Sequence, residues 1–216
     1  MFLRHPLLTR LGVDHGFGSR TSLLDREDPW TFRQVHGTRV VEVRGRTAAD
    51  RPEADGGWTS DPSATVWVFT ADCLPVLIAT PGGRFVSAVH AGWRGAVRGI
   101  VPEGVRCLMD ASGCAPGSLT AVIGPSIRDC CYPVGPEVWE EVGRLHPDFP
   151  RGNKEDNRLN LPSLVRFQLE SMGIFPDRIG EIGLCTVCHP DLFFSHRGMG
   201  DSRKGQSMLN YIRCSN

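Results

Sequence analysis

Short runs of apolar residues, bounded by polar or turn-forming residues, recur along the chain and predict buried β-strands. Runs of this length and of mostly β-branched composition are typical of strands in a protein core. The predicted strands cover residues 40–43, 65–70, 85–90, 119–123 and 179–184.

Apolar residues recur at helical spacing in three other segments, 95–109, 136–145 and 161–172. In the first segment we expect a kink at Pro102, because proline lacks an N–H group and clashes with the preceding turn, and an end at Gly113. Pro136 suits the first turn of the second helix, and Asn160 is a plausible N-cap for the third.

Strands and helices are mixed along the chain without regular alternation, which indicates the α+β class. Segments 48–61 and 147–157 are polar, contain proline or glycine, and are predicted loops. Neither is long enough to be a convincing linker, so we expect a single domain over residues 1–216.

The composition excludes several classes of function. The 216 residues include 24 basic and 24 acidic ones, so the chain lacks the basic surface of a nucleic-acid or anionic-membrane binder. No segment reaches the ~20 apolar residues of a membrane span. The first ten residues lack the apolar region of a signal peptide, and eight cysteines without an export signal favour reduced thiols. We therefore expect a cytoplasmic protein.

Three residues that can bind a transition metal stand beside predicted strands and turns: His36, Cys73 and His90. Zinc prefers imidazole and thiolate ligands, and a catalytic zinc has three protein ligands and one open position. Spacing alone favours a simpler alternative, a buried free cysteine and two hydrogen-bonded histidines, because the three residues are far apart in the sequence. Asp72, next to Cys73, could orient a metal ligand or cap the local turn.

Two arginines could bind a small anion. Arg20 follows a segment with two glycines, which let the backbone approach a ligand, and its guanidinium group can bind phosphate through a planar set of donors. Arg94 lies near the start of a predicted helix, where backbone N–H groups favour anions. For each residue the alternative is an ordinary surface arginine.

The cysteines form two further groups, a Cys-x-x-Cys pair at Cys185 and Cys188 and the neighbours Cys130 and Cys131. A zinc ribbon would need a second Cys-x-x-Cys pair, which the chain lacks. A redox pair would open a helix, whereas Pro190 follows closely here. We expect a reduced structural pair.

Five motifs occur in one order and extend over nearly the whole chain. They are Gln-Val-His-Gly at 34–37, Thr-Ala-Asp-Cys-Leu-Pro-Val at 70–76, Val-His-Ala-Gly-Trp-Arg-Gly at 89–95, Ile-Gly-Pro-Ser-Ile at 123–127 with Cys-Cys-Tyr at 130–132, and Cys-Thr-Val-Cys at 185–188 with Phe-Phe-Ser at 193–195. This series resembles the YfiH family, also called the DUF152 or laccase-domain-containing family.

The resemblance implies that His36, Cys73 and His90 bind a zinc ion. It also implies a mixed fold with a β-sandwich-like core and flanking helices. Members are described as purine nucleoside phosphorylases that also deaminate adenosine and cleave methylthioadenosine, so purine nucleosides and phosphate are the expected ligands. An older label for the family is polyphenol oxidase or laccase.

Other functions remain alternatives. In a Cys–His hydrolase or amidase, Cys73 would be the nucleophile and His90 its base. A multicopper oxidase is disfavoured, because such sites need roughly ten histidine ligands, many in His-x-His pairs. This chain has seven histidines and no such pair. A non-enzymatic module would bind metal without turnover.

Overall fold

Two β-sheets form the centre of the molecule in a computed structural model, which describes residues 1–22, 32–45, 51–150, 157–203 and 205–215. Strands and helices are numbered in chain order. The smaller sheet is antiparallel, with the strand order β1–β2–β10–β5. Its strands are β1 (Phe2–Leu3), β2 (Asp14–Gly18), β5 (Val66–Thr70) and β10 (Met208–Arg213).

The larger sheet has six strands in the order β3–β4–β7–β6–β8–β9. Its outer pairs, β3 with β4 and β8 with β9, are parallel, and its inner pairs are antiparallel. The strands are β3 (Val40–Glu42), β4 (Gly56–Thr59), β6 (Leu74–Ala79), β7 (Val86–Ala91), β8 (Thr120–Ile123) and β9 (Ile179–Glu181).

Most of the helical residues follow strands of the larger sheet. The α-helices are α1 (Pro6–Thr9), α2 (Trp93–Val97), α3 (Ile100–Ser112), α4 (Pro136–Leu145), α5 (Leu161–Ser171) and α6 (His196–Met199), and short 3-10 helices cover Pro81–Gly83, Pro116–Ser118, Pro176–Arg178 and Gly200–Arg203. Within the described ranges, no helix has the length and apolar character needed to cross a membrane.

Strand β6 lies inside the larger sheet, and all six of its residues are buried. Leu77 packs in the cluster between the two sheets, together with side chains of β5 and β10. Val76 and Ile78 point to the opposite face and pack in the cluster that includes the helices. This alternation produces a β-sandwich with helices on the outer face of the larger sheet, and the predicted α+β class is confirmed.

The predicted strands all exist, within one to three residues of their predicted ends. The helix predicted at 136–145 has these bounds, and the one predicted at 161–172 ends one residue earlier. The side chain of Asn160 accepts a hydrogen bond from the Ser163 N–H and caps that helix, as predicted.

The prediction of one kinked helix over 95–109 is wrong. Two helices, α2 and α3, are separated at Gly99, whose φ of 92° lies in the left-handed region that favours glycine. Pro102 lies in the first turn of α3, where a missing N–H costs nothing and no kink results. Gly113, with φ 71°, ends α3 as predicted.

The predicted loop 48–61 is partly wrong, because it contains β4, while residues 48–50 lie outside the described residues. The described part of the loop 147–157 has neither helix nor strand, and residues 151–156 lie outside the description. Strands β1, β2, β6 and β10 were also not predicted.

Replacing Leu77 by alanine tests the sandwich. Because Leu77 is fully buried between the sheets, we expect Leu77→Ala to lower the free energy of unfolding by about 2–5 kcal/mol. Leu145→Ala is the control, since Leu145 is exposed at the end of α4, and should cost less than about 1 kcal/mol. Urea denaturation measures the free energy of unfolding of both variants. A loss for Leu77→Ala as small as that for Leu145→Ala would contradict the packing of Leu77 between the sheets.

Candidate metal centre and its cavity

His36, Cys73 and His90 converge at one point of the structure. The His36 Nε2 atom lies 3.8 Å from the Cys73 Sγ atom, and the ring centroids of His36 and His90 are 4.9 Å apart. The three potential ligand atoms all lie within 4.8 Å of one another. The structure therefore brings together three residues that are distant in sequence, closely enough for one ion to contact all three.

Two of these residues are placed by neighbouring strands. Cys73 directly precedes β6, and His90 lies near the end of β7. The strands are antiparallel, and Leu74 pairs with Ala91. The start of β6 and the end of β7 therefore meet at the same edge of the sheet, which brings Cys73 beside His90.

The loop that carries His36 is fastened to strand β5 by a side-chain amide. Gln34 Nε2 donates to the Phe69 carbonyl at 2.8 Å, and the Phe69 N–H donates to Gln34 Oε1 at 2.7 Å. This pair of hydrogen bonds imitates the pairing of two strands. Because only two residues separate the end of β5 from Cys73, the same contact holds His36 near the cysteine.

The Asp55 carboxylate is the centre of the hydrogen-bond network behind the site. It is fully buried and accepts hydrogen bonds from the backbone N–H groups of Val35, His36 and Gly37 at 3.1, 2.9 and 2.7 Å. His90 Nδ1 lies 2.8 Å from it and donates a fourth. That bond leaves Nε2 of His90 as the ring nitrogen available to a metal, as in carboxylate–histidine–metal arrangements.

The site is electrostatically prepared for a cation. Burial raises the pKa of the Cys73 thiol, but hydrogen bonds and charge from His36 and His90 outweigh it and lower the pKa to about 6. Burial lowers the pKa of His90, but Asp55 and the Cys73 thiolate outweigh it and raise the pKa to about 9. A thiolate and a carboxylate thus flank the His90 ring, and a divalent ion can supply the positive charge that a proton otherwise supplies.

Gly92 leaves the space that the site needs. A Cβ atom at this position would lie 2.6 Å from His36 Cδ2 and 3.1 Å from Cys73 Sγ, so no other residue fits without displacing them. A Cβ atom at Gly95 would lie 2.7 Å from the carbonyl oxygen of Gly37. The two glycines of this motif therefore allow the segment after β7 to pass directly beside the His36 loop.

A cavity of about 590 Å³ opens onto the three residues. Aromatic and basic side chains share its wall with them, namely Phe32, Phe69, Trp93, Tyr132, Arg94, His196 and Arg197. Aromatic faces bind flat rings and guanidinium groups bind anions, so this lining is suited to a ligand with both features.

The two arginines predicted to bind an anion have different surroundings. The Arg94 guanidinium lies 4.5 Å from the centroid of the Trp93 ring at the cavity. Arg20 is not among the described residues that line the cavity. It donates to the Pro190 carbonyl at 2.6 Å and lies over the Phe194 ring.

Sequence reasoning did not find Asp55 or Arg197. Of the two roles considered for Asp72, neither matches its contacts: it accepts long-range hydrogen bonds from Thr186 Oγ1 at 2.6 Å and from the Arg197 N–H at 2.7 Å. The carboxylate that contacts a histidine is that of Asp55. Asp55 lies in the segment predicted to be a loop, directly before β4, a strand that the sequence analysis did not predict.

Comparisons with known proteins place the chain in a family. The family model described as multi-copper polyphenol oxidoreductase laccase matches residues 19–214. Purine nucleoside phosphorylase YlmD of Bacillus subtilis is 34% identical over 196 residues, which cover 85% of this chain and 70% of YlmD. Human purine nucleoside phosphorylase LACC1 is 32% identical over 168 residues, or 76% of this chain. The chain spans only 39% of the length of LACC1.

Solved structures agree with this result. The crystal structure of the Bacillus licheniformis hypothetical protein YfiH has a TM-score of 0.77 and 27% identity, and the match covers 94% of this chain and 93% of that one. The crystal structure of YlmD from Geobacillus stearothermophilus, at 24% identity, has the same fold with a TM-score of 0.81 over 100% of this chain and 99% of that one. Together with the family-model match and the identity to YlmD of B. subtilis, these matches show that the chain belongs to the YfiH laccase-domain family.

Proposed function

We propose that this protein is a zinc-dependent purine nucleoside phosphorylase, with residues 1–216 as one catalytic domain. It would convert inosine or adenosine and phosphate into the free base and ribose 1-phosphate. The observation that carries the proposal is the single cavity that joins the three potential metal ligands to Arg94, Arg197 and aromatic side chains. The names of the relatives support the reaction class.

The residues of the centre fit zinc. Two imidazoles and one thiolate are its preferred donors, and three protein ligands leave one of its four positions for a small ligand. When bound, zinc supplies a Lewis acid that holds and orients an oxygen ligand. Asp55 acts through His90, since it fixes the ring so that Nε2 faces the Cys73 side.

The other residues of the cavity would bind and orient the two substrates. Arg94 and Arg197 supply positive charge for the phosphate dianion, which a chain of zero net charge must provide locally. Aromatic faces at the same cavity, such as Trp93 and Tyr132, can bind the purine ring. A volume of about 590 Å³ lies in the usual range for small-molecule sites. Holding phosphate next to the sugar would replace an encounter in solution by a reaction within one complex.

The proposal includes two related activities, deamination of adenosine and phosphorolysis of methylthioadenosine. Both use substrates of the same shape, so the same cavity would serve them. Copper at the three residues is the alternative metal, and metal analysis of the purified protein distinguishes the two.

One observation favours a second candidate, a Cys–His hydrolase. The lowered pKa of Cys73, about 6, makes its thiolate available near neutral pH, and both histidines are in contact with it. A thiolate nucleophile must be free of metal. Activity of metal-free protein on an amide or a nucleoside, with water as co-substrate, would therefore favour the hydrolase.

The reaction itself is tested with inosine in the presence and absence of phosphate. We expect hypoxanthine and ribose 1-phosphate from the zinc-loaded protein only when phosphate is present, because phosphate is the proposed nucleophile. Chromatography of the sugar product distinguishes ribose 1-phosphate from free ribose. Base release without phosphate, or no release from any purine nucleoside, would refute the proposal.

The role of Asp55 is tested with Asp55→Asn. The amide has a similar shape but no charge to stabilise the donor form of His90 Nδ1, so we expect zinc affinity and kcat/KM to fall about 10–100-fold. Asp61→Asn is the matched control, because Asp61 also accepts backbone N–H hydrogen bonds but does not contact the proposed ligands. Competition with a zinc chelator measures the affinity of each variant for zinc. Equal zinc affinities of Asp55→Asn and Asp61→Asn would contradict the role proposed for Asp55.

Phosphate binding is tested with Arg94→Ala. Loss of a charge-assisted hydrogen bond costs about 1.5–3 kcal/mol, so the phosphate concentration for half-maximal rate should rise about 10- to 100-fold. Arg20→Ala tests the sequence prediction for Arg20 in the same assay. Arg98→Ala is the control, since Arg98 pairs with Glu141 on the surface. If Arg94→Ala behaves like Arg98→Ala, Arg94 does not bind phosphate.

A further inference from the structure

Four cysteines that the proposed reaction does not use lie together at one end of the larger sheet. Strands β8 and β9 are parallel neighbours, so the loops that follow them leave the sheet at the same edge. A bridge between Ser126 and Cys185 continues the parallel pairing beyond both strands. The first loop carries Cys130 and Cys131, and the second carries Cys185 and Cys188, so the sheet itself brings the two cysteine pairs together.

The four sulfur atoms have the spacing of a tetrahedral metal site. The Cys188 Sγ atom lies 3.6 Å from that of Cys130 and 3.5 Å from that of Cys131. All four Sγ atoms lie within 4.8 Å of one another. Zinc–sulfur bonds of about 2.3 Å in a tetrahedron place the sulfur atoms about 3.8 Å apart. The cysteines therefore need only small adjustments to bind one ion together.

Backbone hydrogen bonds hold the two cysteine loops against each other. The Thr186 N–H donates to the Ser126 carbonyl oxygen at 3.0 Å, and the Ser126 N–H donates to the Leu184 carbonyl oxygen at 3.3 Å. These contacts fix the backbone of both loops beside the cluster, and they are independent of the distances between the sulfur atoms.

We propose that Cys130, Cys131, Cys185 and Cys188 bind a second zinc ion with a structural role. Four thiolates fill all four positions of the ion, so this site would be closed, whereas the centre at His36 keeps one position open. Binding exchanges the thiol protons for the metal and involves no oxidation. Cys130 and Cys188 are exposed, which gives the ion a path from solvent.

A disulfide explains the cluster less well. The Cys188 sulfur is nearly equidistant from two other sulfurs, and a disulfide with either one would leave the other in contact with it. A single tetrahedral ion uses all four cysteines at once. The compact spacing, with every pair within 4.8 Å, also suits one ion better than a cluster of several irons.

The second ion would support one wall of the proposed active site. Cys131 is next to Tyr132, which lines the cavity. Thr186, between Cys185 and Cys188, donates a hydrogen bond of 2.6 Å to Asp72, the neighbour of Cys73. Joining the two cysteine loops would therefore hold both of these contacts in place.

The experiment is a metal analysis of the full chain and of its single variants. Each protein is purified with a non-thiol reductant, and excess zinc is removed before the analysis. We expect two zinc ions per chain in the unchanged protein and one in Cys188→Ser. Cys73→Ala should also retain one, held by the four-cysteine cluster alone. Cys107→Ser is the matched control, since Cys107 lies in α3 outside both groups, and should keep two.

Cobalt gives a second readout that does not need the Cys188 variant to fold. Cys73→Ala reconstituted with Co²⁺ should show the intense sulfur-to-cobalt charge-transfer and tetrahedral d–d absorption of a thiolate site. Absence of these bands, together with no zinc in Cys73→Ala, would overturn the proposal. Neither result depends on nucleoside cleavage, so the proposed reaction and the second ion can fail separately.

Discussion

The Asp55 carboxylate is the group on which the geometry of the metal centre depends. A buried charge is costly unless several donors surround it, and here three consecutive backbone N–H groups and the His90 ring do so. The same contacts hold the backbone of His36 at a φ of 59°, which is unusual for a non-glycine residue. The hydrogen bonds that stabilise the buried Asp55 charge thus also fix the His36 loop and strand β7 relative to each other.

Much of the fold could be predicted from the sequence, because its strands are apolar runs and its helices have regular apolar spacing. Strand β6 escaped prediction because Pro75 indicates a turn. Pro75 lies just before the first residue of β6 that pairs with β8, Val76, so its nitrogen need not donate to that strand. The first predicted helix is interrupted at Gly99 and not at Pro102. Pro102 lies in the first turn of α3, where proline removes no hydrogen bond of the helix.

The site was harder to predict than the fold. His36, Cys73 and His90 emerged from a family resemblance, since their spacing carries no compact metal motif. Asp55 is 19 residues from His36 and 35 from His90, and only the pairing of β4 with β7 makes it their neighbour. The four-cysteine cluster was missed for a related reason. The sequence contains no second Cys-x-x-Cys pair, but parallel pairing of β8 and β9 lets two adjacent cysteines take its place.

Strand β10 comes after all other described strands in the chain and yet lies between β2 and β5 in the smaller sheet. On the ribosome, β2 and β5 emerge first and remain without their shared partner until β10 follows. Asn210 of β10 then joins them, as it accepts from the Gly18 N–H and donates to Thr70 Oγ1. Thr70 ends the strand that leads to Cys73. A nascent chain that stops before residue 208 would leave β2 and β5 without the strand that joins them, and Thr70, three residues before Cys73, without its hydrogen bond from Asn210.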